Sequence, residues 1–203
     1  MRTGIGVKKF YNPQDSYQNG GRIIHKTEPA IRYAEVLLIY AEALNESSER
    51  MSHKQEILDN LNKIRHRAGI AEYGTGTDEN GFTRIKINFS DQKEVRRLIH
   101  KERRVEFVGE GVRYHDLRRW KTAHYGIGNL NEQGENPDWG VNGPDYGMNY
   151  YGTEYTDQGD NAFFKRTKYM DRVYPRKFYW YPIHQSEIDK DPTLVQGPFW
   201  LGE

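Results

Sequence analysis

The stretch from Glu94 to Trp120 constrains this chain most, because it is the densest run of charge and still keeps apolar residues at helical spacing. Val95, Leu98 and Ile99, then Val105 and Val108, recur on three- and four-residue steps, which predicts one amphipathic helix. Gly109-Glu110-Gly111 breaks that period, and Val112, Leu117 and Trp120 resume it over a shorter span. Two helices joined by a tight glycine turn satisfy this pattern.

Glu102 and Glu106 lie one turn apart on the row that a solvated helix would fill with leucine. Carboxylates facing inward need cationic partners, and Arg103, Arg113, Arg118 and Arg119 can supply guanidinium donors, with Asp116 as a further acceptor. The expectation is a buried network of Glu102, Arg103, Glu106, Arg113 and Asp116 that holds the hairpin together. A dinuclear metal site would need Glu-x-x-His or His-Glu-x-x-His, and neither spacing occurs in the sequence. The carboxylates are therefore read as structural, with no catalytic residue, no metal ligand and no cofactor assigned.

Composition narrows the classes further. The 203 residues fit one domain, yet the apolar share is 35% counting tyrosine, and replacing the 15 tyrosines by the 20 glycines in that count barely moves it. This lies below the ~45–50% of ordinary globular domains, so the core is thin for the length. Thirty basic residues balance 29 acidic ones, and a net charge of +1 offers no global attraction to nucleic acid. Without cysteine, disulfides, thiolate metal sites and thiol catalysis are excluded. No apolar leader or run of about 18 apolar residues occurs either.

Upstream of the hairpin, Thr27-Glu28-Pro29 reads as a helix start with Thr27 as N-cap. Ala34, Leu37, Leu38, Ala41 and Leu44 give that helix an apolar face, and Val36, Ile39 and Tyr40 widen it. A second helix runs from about His53 to Arg67, with Ile57, Leu61 and Ile64 inward, and stops at Ala68-Gly69. Small residues at the contact make this pair resemble a tetratricopeptide unit, the hairpin being the next. Residues 71–89 are a turn-rich connector with a short strand expected at Thr83 to Asn88, and Ser90 or Asp91 caps the central helix.

From Thr122 to Asp160 no helical period survives; glycines alternate with Tyr, Trp, Asn and Asp, a composition of long ordered loops. Flat rings beside amides and carboxylates suit a carbohydrate, whose C–H face stacks while its hydroxyls are hydrogen-bonded. Trp139, Tyr146, Tyr150, Tyr151 and Tyr155 are the candidates; the competing role for each is to pin the loop to the helices. Asn129-x-Asn131-x-Gln133-Gly134 imitates half of a calcium loop, but Gly140 stands where a bidentate Glu is needed. The closing stretch, Tyr179 to Trp200, mixes extended and turn signals around Pro182, Pro192 and Pro198, and Ser186-Glu187-Ile188 is read as no more than one helical turn. His184 is read as a packed or surface histidine.

Four motifs in order carry a resemblance. RYAEVLLIYAEALNE at Arg32 to Glu46, ERRVEF followed by EGVRYHDLRRW, GMNYYGTEY with FFKR, and YWYPIHQSEIDKDPTLVQGPFW together resemble the C-terminal part of the SusD/RagB family of surface-exposed lipoproteins. The closing motif departs from the family pattern where His184 replaces a proline and Gln196-Gly197-Pro198 precedes the last aromatics. The resemblance implies a mainly α fold of tetratricopeptide-like (α-α superhelix) helix pairs, about 28–68 and 91–121, followed by an aromatic glycine-rich loop region, 122–178, and a C-terminal strap, 179–203. It also implies non-catalytic capture of oligosaccharide at the outer membrane, with delivery to a SusC-like TonB-dependent transporter. The family's lipid-bearing cysteine is not among these residues, so the expectation is the C-terminal part of a longer protein, membrane-associated only through an anchor elsewhere. Three other classes are a helical-repeat scaffold for protein partners, a glycoside hydrolase, which would need two carboxylates facing across a cleft rather than sharing a helix face, and a nucleic-acid binder using the arginine-rich hairpin.

Overall fold

A computed structural model describes residues 9, 12–24, 29–126, 140–148 and 166–200. The chain divides into two compact units, Phe10–Arg113 and a second made of Met1–Lys9 with Tyr114–Glu203. The fold is mainly α, with few strands, as expected.

In the first unit, α1 (Tyr33–Glu46), α2 (Lys54–Arg67) and α3 (Gln92–Glu106) enclose one core. Leu37, Leu38 and Ala41 of α1 meet Ile57, Leu61 and Ile64 of α2 and Val95 and Ile99 of α3, with Tyr73 and Phe107 completing the cluster. Each helix contributes residues three or four apart, so burial selects one stripe from each. Asn45 and Gln92 exchange side-chain bonds with one another's carbonyls at 2.7 and 3.3 Å, tying the end of α1 to the start of α3. Arg32, just before α1, reaches Glu106 at the end of α3, so the two helices run antiparallel.

Three expectations for this unit are revised. The first helix begins at Tyr33, after Pro29, because Arg32 is extended (φ −118°) and commits its guanidinium to α3; Thr27 lies outside the described residues. Val105 and Val108 are exposed and Phe107 is buried instead, so the apolar row ends at Ile99 and charged Glu102 and Arg103 continue it inward. The connector forms isolated bridges, Tyr73 with Ile85 and Thr77 with Thr83, in place of a strand. Asp91 does cap α3, its carboxylate accepting the N–H groups of Lys93 and Glu94, and Gly109 and Gly111 both take positive φ where the helix turns over.

In the second unit, most of α4 (Val112–Arg119) leads to an antiparallel ribbon of β1 (Gly143–Met148) and β2 (Arg166–Arg172). Gly143 pairs with Arg172 and Met148 with Arg166, with a register shift between Asp145 and Tyr146. This ribbon corrects the reading of the region as loop alone. Gly, Pro and Asp disfavour strands, and pairing, not propensity, makes one here. A 3₁₀ turn at Arg176–Tyr179 leads into the strap, which contains α5 (Gln185–Lys190); at six residues α5 exceeds the single turn expected. Leu117, Ala123, Val141, Tyr174 and Tyr179 form this unit's small core.

Candidate functional site

Two carboxylates of α3, Glu102 and Glu106, take arginine partners from outside the hairpin. Glu102, 5% exposed, accepts from Arg65 Nη1 at 2.5 Å and from the Tyr73 hydroxyl at 2.8 Å. Arg65 is in turn fixed by the Ala71 carbonyl and stacks over the Tyr73 ring at 4.3 Å. Burial, reinforced by the Glu102 charge, pushes the Tyr73 phenol far above its ordinary pKa, so it remains a donor. Glu106 accepts from Arg32 at 2.8 Å and Arg67 at 2.6 Å, and Arg32 spans to Glu110 with two further bonds of 2.8 Å. The Glu110 bond foremost, opposed by burial and aided by Glu106, raises the Arg32 pKa.

The guanidiniums of Arg65, Arg67 and Arg32 come from α2 and from the residue before α1. Arg103 is buried beside Phe107, 5.3 Å from its ring centroid. Asp116 accepts from Arg119 at 2.9 Å, three residues on along the same helix. The sequence signal missed was IRHRAG, where Arg65 and Arg67 look like ordinary cations at a helix C-terminus. Chemically, two carboxylates each engaged by arginine are cross-links between elements of the helical unit.

The second unit organises aromatic rings. Arg118 donates to the carbonyls of Phe178 (2.8 Å) and Tyr179 (2.5 Å), while its guanidinium lies over the rings of Tyr114 and Tyr181 at 5.3 and 5.1 Å. The two tyrosine hydroxyls are 3.2 Å apart. That hydrogen bond, with the Arg118 charge helping against desolvation, lowers the Tyr114 pKa. Trp200 Nε1 donates to the carbonyls of Lys177 and Trp180, both at 3.0 Å, and its ring stacks on Phe178 with 25° between planes. Trp180 meets Phe199 at 5.8 Å. Phe178, Trp180 and Tyr181 are all exposed, Tyr181 by 75%, so the strap presents a connected aromatic face. Asn142 anchors the ribbon beneath, accepting from Tyr174 N and donating to the carbonyls of His124 (2.6 Å) and Tyr174 (3.3 Å). His184 is an N-cap, its Nδ1 accepting from Ser186 N.

Of the rings singled out from sequence, Tyr146 lies on β1 opposite Lys168 and is exposed. Trp139, Tyr150, Tyr151 and Tyr155 fall outside the described residues, as does the Asn129–Gly134 stretch. Phe178, Trp180 and Tyr181 were not singled out, although their density beside Pro175 and Pro182 was readable.

Comparison with known proteins bears on this pairing of a helical body with an aromatic strap. The SusD family profile matches residues 1–200. SusD-like protein P2 of Formosa agariphila is 35% identical over 121 residues, 58% of this chain and 22% of that protein. SusD-like protein P38 of the same organism is 33% identical over 100 residues, 49% of this chain and 18% of the relative. Among solved structures, a SusD-like protein from Bacteroides fragilis superposes with a TM-score of 0.55 at 26% identity, over 84% of this chain and 25% of that one. BT4246 superposes with a TM-score of 0.62 at 27% identity, over 98% of this chain and 28% of its own. The chain belongs to the SusD family. It spans about a fifth of the length of the curated relatives it matches and up to three tenths of the solved structures.

Proposed function

We propose that this chain is part of a surface protein that captures oligosaccharide, without chemical conversion, and passes it to a SusC-like TonB-dependent transporter at the outer membrane. The family match across residues 1–200 carries the reading. The strap's exposed rings Phe178, Trp180 and Tyr181 support it, since an exposed aromatic face stacks on the C–H face of a sugar. Trp139, Tyr146, Tyr150, Tyr151 and Tyr155 are proposed as further rings that stack on sugar, and Trp139 and Tyr151 lead among them. A hydrolase is disfavoured because Glu102 and Glu106 are engaged by Arg65, Arg32 and Arg67.

Titration of the intact protein with a panel of oligosaccharides tests this, with wild type measured against Trp139→Ala, Tyr151→Ala and Trp180→Ala. Each ring that stacks on sugar should add about 1 kcal/mol, roughly a fivefold change in Kd. Equal affinities would assign the rings to packing. Absence of binding to every glycan would favour the other reading, a helical-repeat scaffold for protein partners. That reading draws on the outer side of α1, where Tyr33, Val36, Ile39 and Tyr40 are exposed.

A further inference from the structure

A trough of about 920 Å³ runs between α2 and the 71–89 connector, within the helical unit. Its volume falls in the range of small-ligand pockets, ~300–1,000 Å³. Its floor is apolar, with Leu58, Ile87 and Phe89 partly buried against the core. Its outer wall is built, not draped. Asp78, itself buried, accepts the N–H groups of Glu72, Asn80 and Phe82 at 2.9–3.1 Å. Asn62 of α2 clamps the Tyr73 backbone from both sides, donating at 2.9 Å and accepting at 2.7 Å. Gly74, at φ +134°, lets Arg84 lie across the wall, where a Cβ would stand 3.3 Å from its Cδ.

The charges in the trough are unevenly committed. Glu72 is spent: one oxygen meets His66 at 3.1 Å and the other Arg84 at 2.8 Å. Lys54, Lys63 and Lys86 all line the trough and have no hydrogen-bond or ion-pair partner among the described residues. Against these three stand Glu79, likewise unpartnered, and Asp59, which accepts from Gln55. Nine residues of helix separate Lys54 from Lys63, roughly 13 Å along the axis. Separated cations over an apolar floor match an elongated ligand whose anionic groups recur at intervals. Carboxylates interleaved with the lysines disfavour a dense polyphosphate and offer acceptors to hydroxyl groups. We propose that this trough binds an acidic oligosaccharide, its carboxylate or sulfate groups meeting Lys54, Lys63 and Lys86. The sugar identity of the ligand rests on the glycan-binding function proposed above; the anion preference rests on the trough itself.

The test is titration calorimetry on the intact protein with an oligogalacturonate, a sulfated galactan oligosaccharide, a neutral malto-oligosaccharide of equal length and inorganic polyphosphate. Wild type is compared with a triple variant carrying Lys54→Gln, Lys63→Gln and Lys86→Gln, whose sites are exposed, and circular dichroism checks its fold. At least one acidic sugar should bind, more weakly as salt rises and about tenfold more weakly in the triple variant. Which one binds separates carboxylate from sulfate recognition. Unchanged affinity in the variant, or polyphosphate binding as tight as the acidic sugar, overturns the proposal. Binding of the neutral sugar alone, undiminished in the variant, overturns it while leaving glycan capture standing. Failure of all sugars overturns both.

Discussion

The best-connected arginines of the helical unit and of the strap unit have different main partners. In the first, Arg65, Arg32 and Arg67 close on carboxylates of α3, so charge is consumed internally as cross-links between regular elements. In the second, Arg118 closes on backbone carbonyls and aromatic rings, so charge supplies the hydrogen bonds that coil lacks. Helices satisfy their own backbone and leave side chains free to pair with one another, whereas an irregular strap must recruit side chains to its backbone. The strap unit's core is small, and Phe178, Trp180 and Tyr181 stay exposed.

This contrast can be broken by substitution. Arg65→Ala leaves Glu102 buried with only the Tyr73 hydroxyl, and the expected loss is about 3–5 kcal/mol by urea unfolding. A loss below 1 kcal/mol would mean that water reaches Glu102 and that the unit does not depend on internal pairing. Asn142→Ala removes the bonds to Tyr174 and His124 in the strap unit, with an expected cost of about 1–3 kcal/mol. Faster proteolysis near residues 172–176 is the readout, and resistance equal to wild type would show the ribbon anchored elsewhere. Trp180→Ala should sharpen the contrast, weakening glycan binding about fivefold while thermal stability changes less than for Arg65→Ala. If stability falls and binding does not, the ring belongs to packing.

The smallest effect concerns acid. Burial alone would raise the Asp78 pKa, but the N–H groups of Glu72, Phe82 and Asn80, with Arg84 nearby, bring it below the usual 3.8. The folded form therefore binds fewer protons than the unfolded one, and its stabilising contribution is complete above about pH 4 and fades as pH falls through the lowered value. Amide exchange in 72–82 should accelerate below pH 4 in wild type and already be fast at pH 7 in Asp78→Asn. Identical exchange in both proteins at pH 7 would remove Asp78 as the pin of the trough wall.

How legible all this was varies by element. The core stripe of α2 and the Asp91 cap follow from local pattern, since helix period and cap chemistry act within a few residues. Val105 looked equally apolar and equally periodic, yet it faces solvent, because periodicity defines a stripe and cannot say how far a neighbour covers it. The ribbon of β1 and β2 was invisible because Gly143, Pro144 and Asp145 carry no strand propensity. The aromatic candidates chosen from 122–160 share their composition with the strap rings, and composition alone could not rank the two sets.

By itself the sequence determined the family, through four motifs in order along the chain, and the mainly helical class and the inward carboxylates of α3, through residue type and spacing over one or two turns. Only the tertiary structure decided that Glu102 pairs with Arg65, 37 residues away, and Glu106 with Arg32, 74 away. It likewise left Lys54, Lys63 and Lys86 lining a common trough without partners among the described residues. The physical reason is that an ion pair depends on distance in space and on the loss of water around it, and many arginines in the chain have the right charge. Which of them arrives first at a buried acid is a property of how the helices pack.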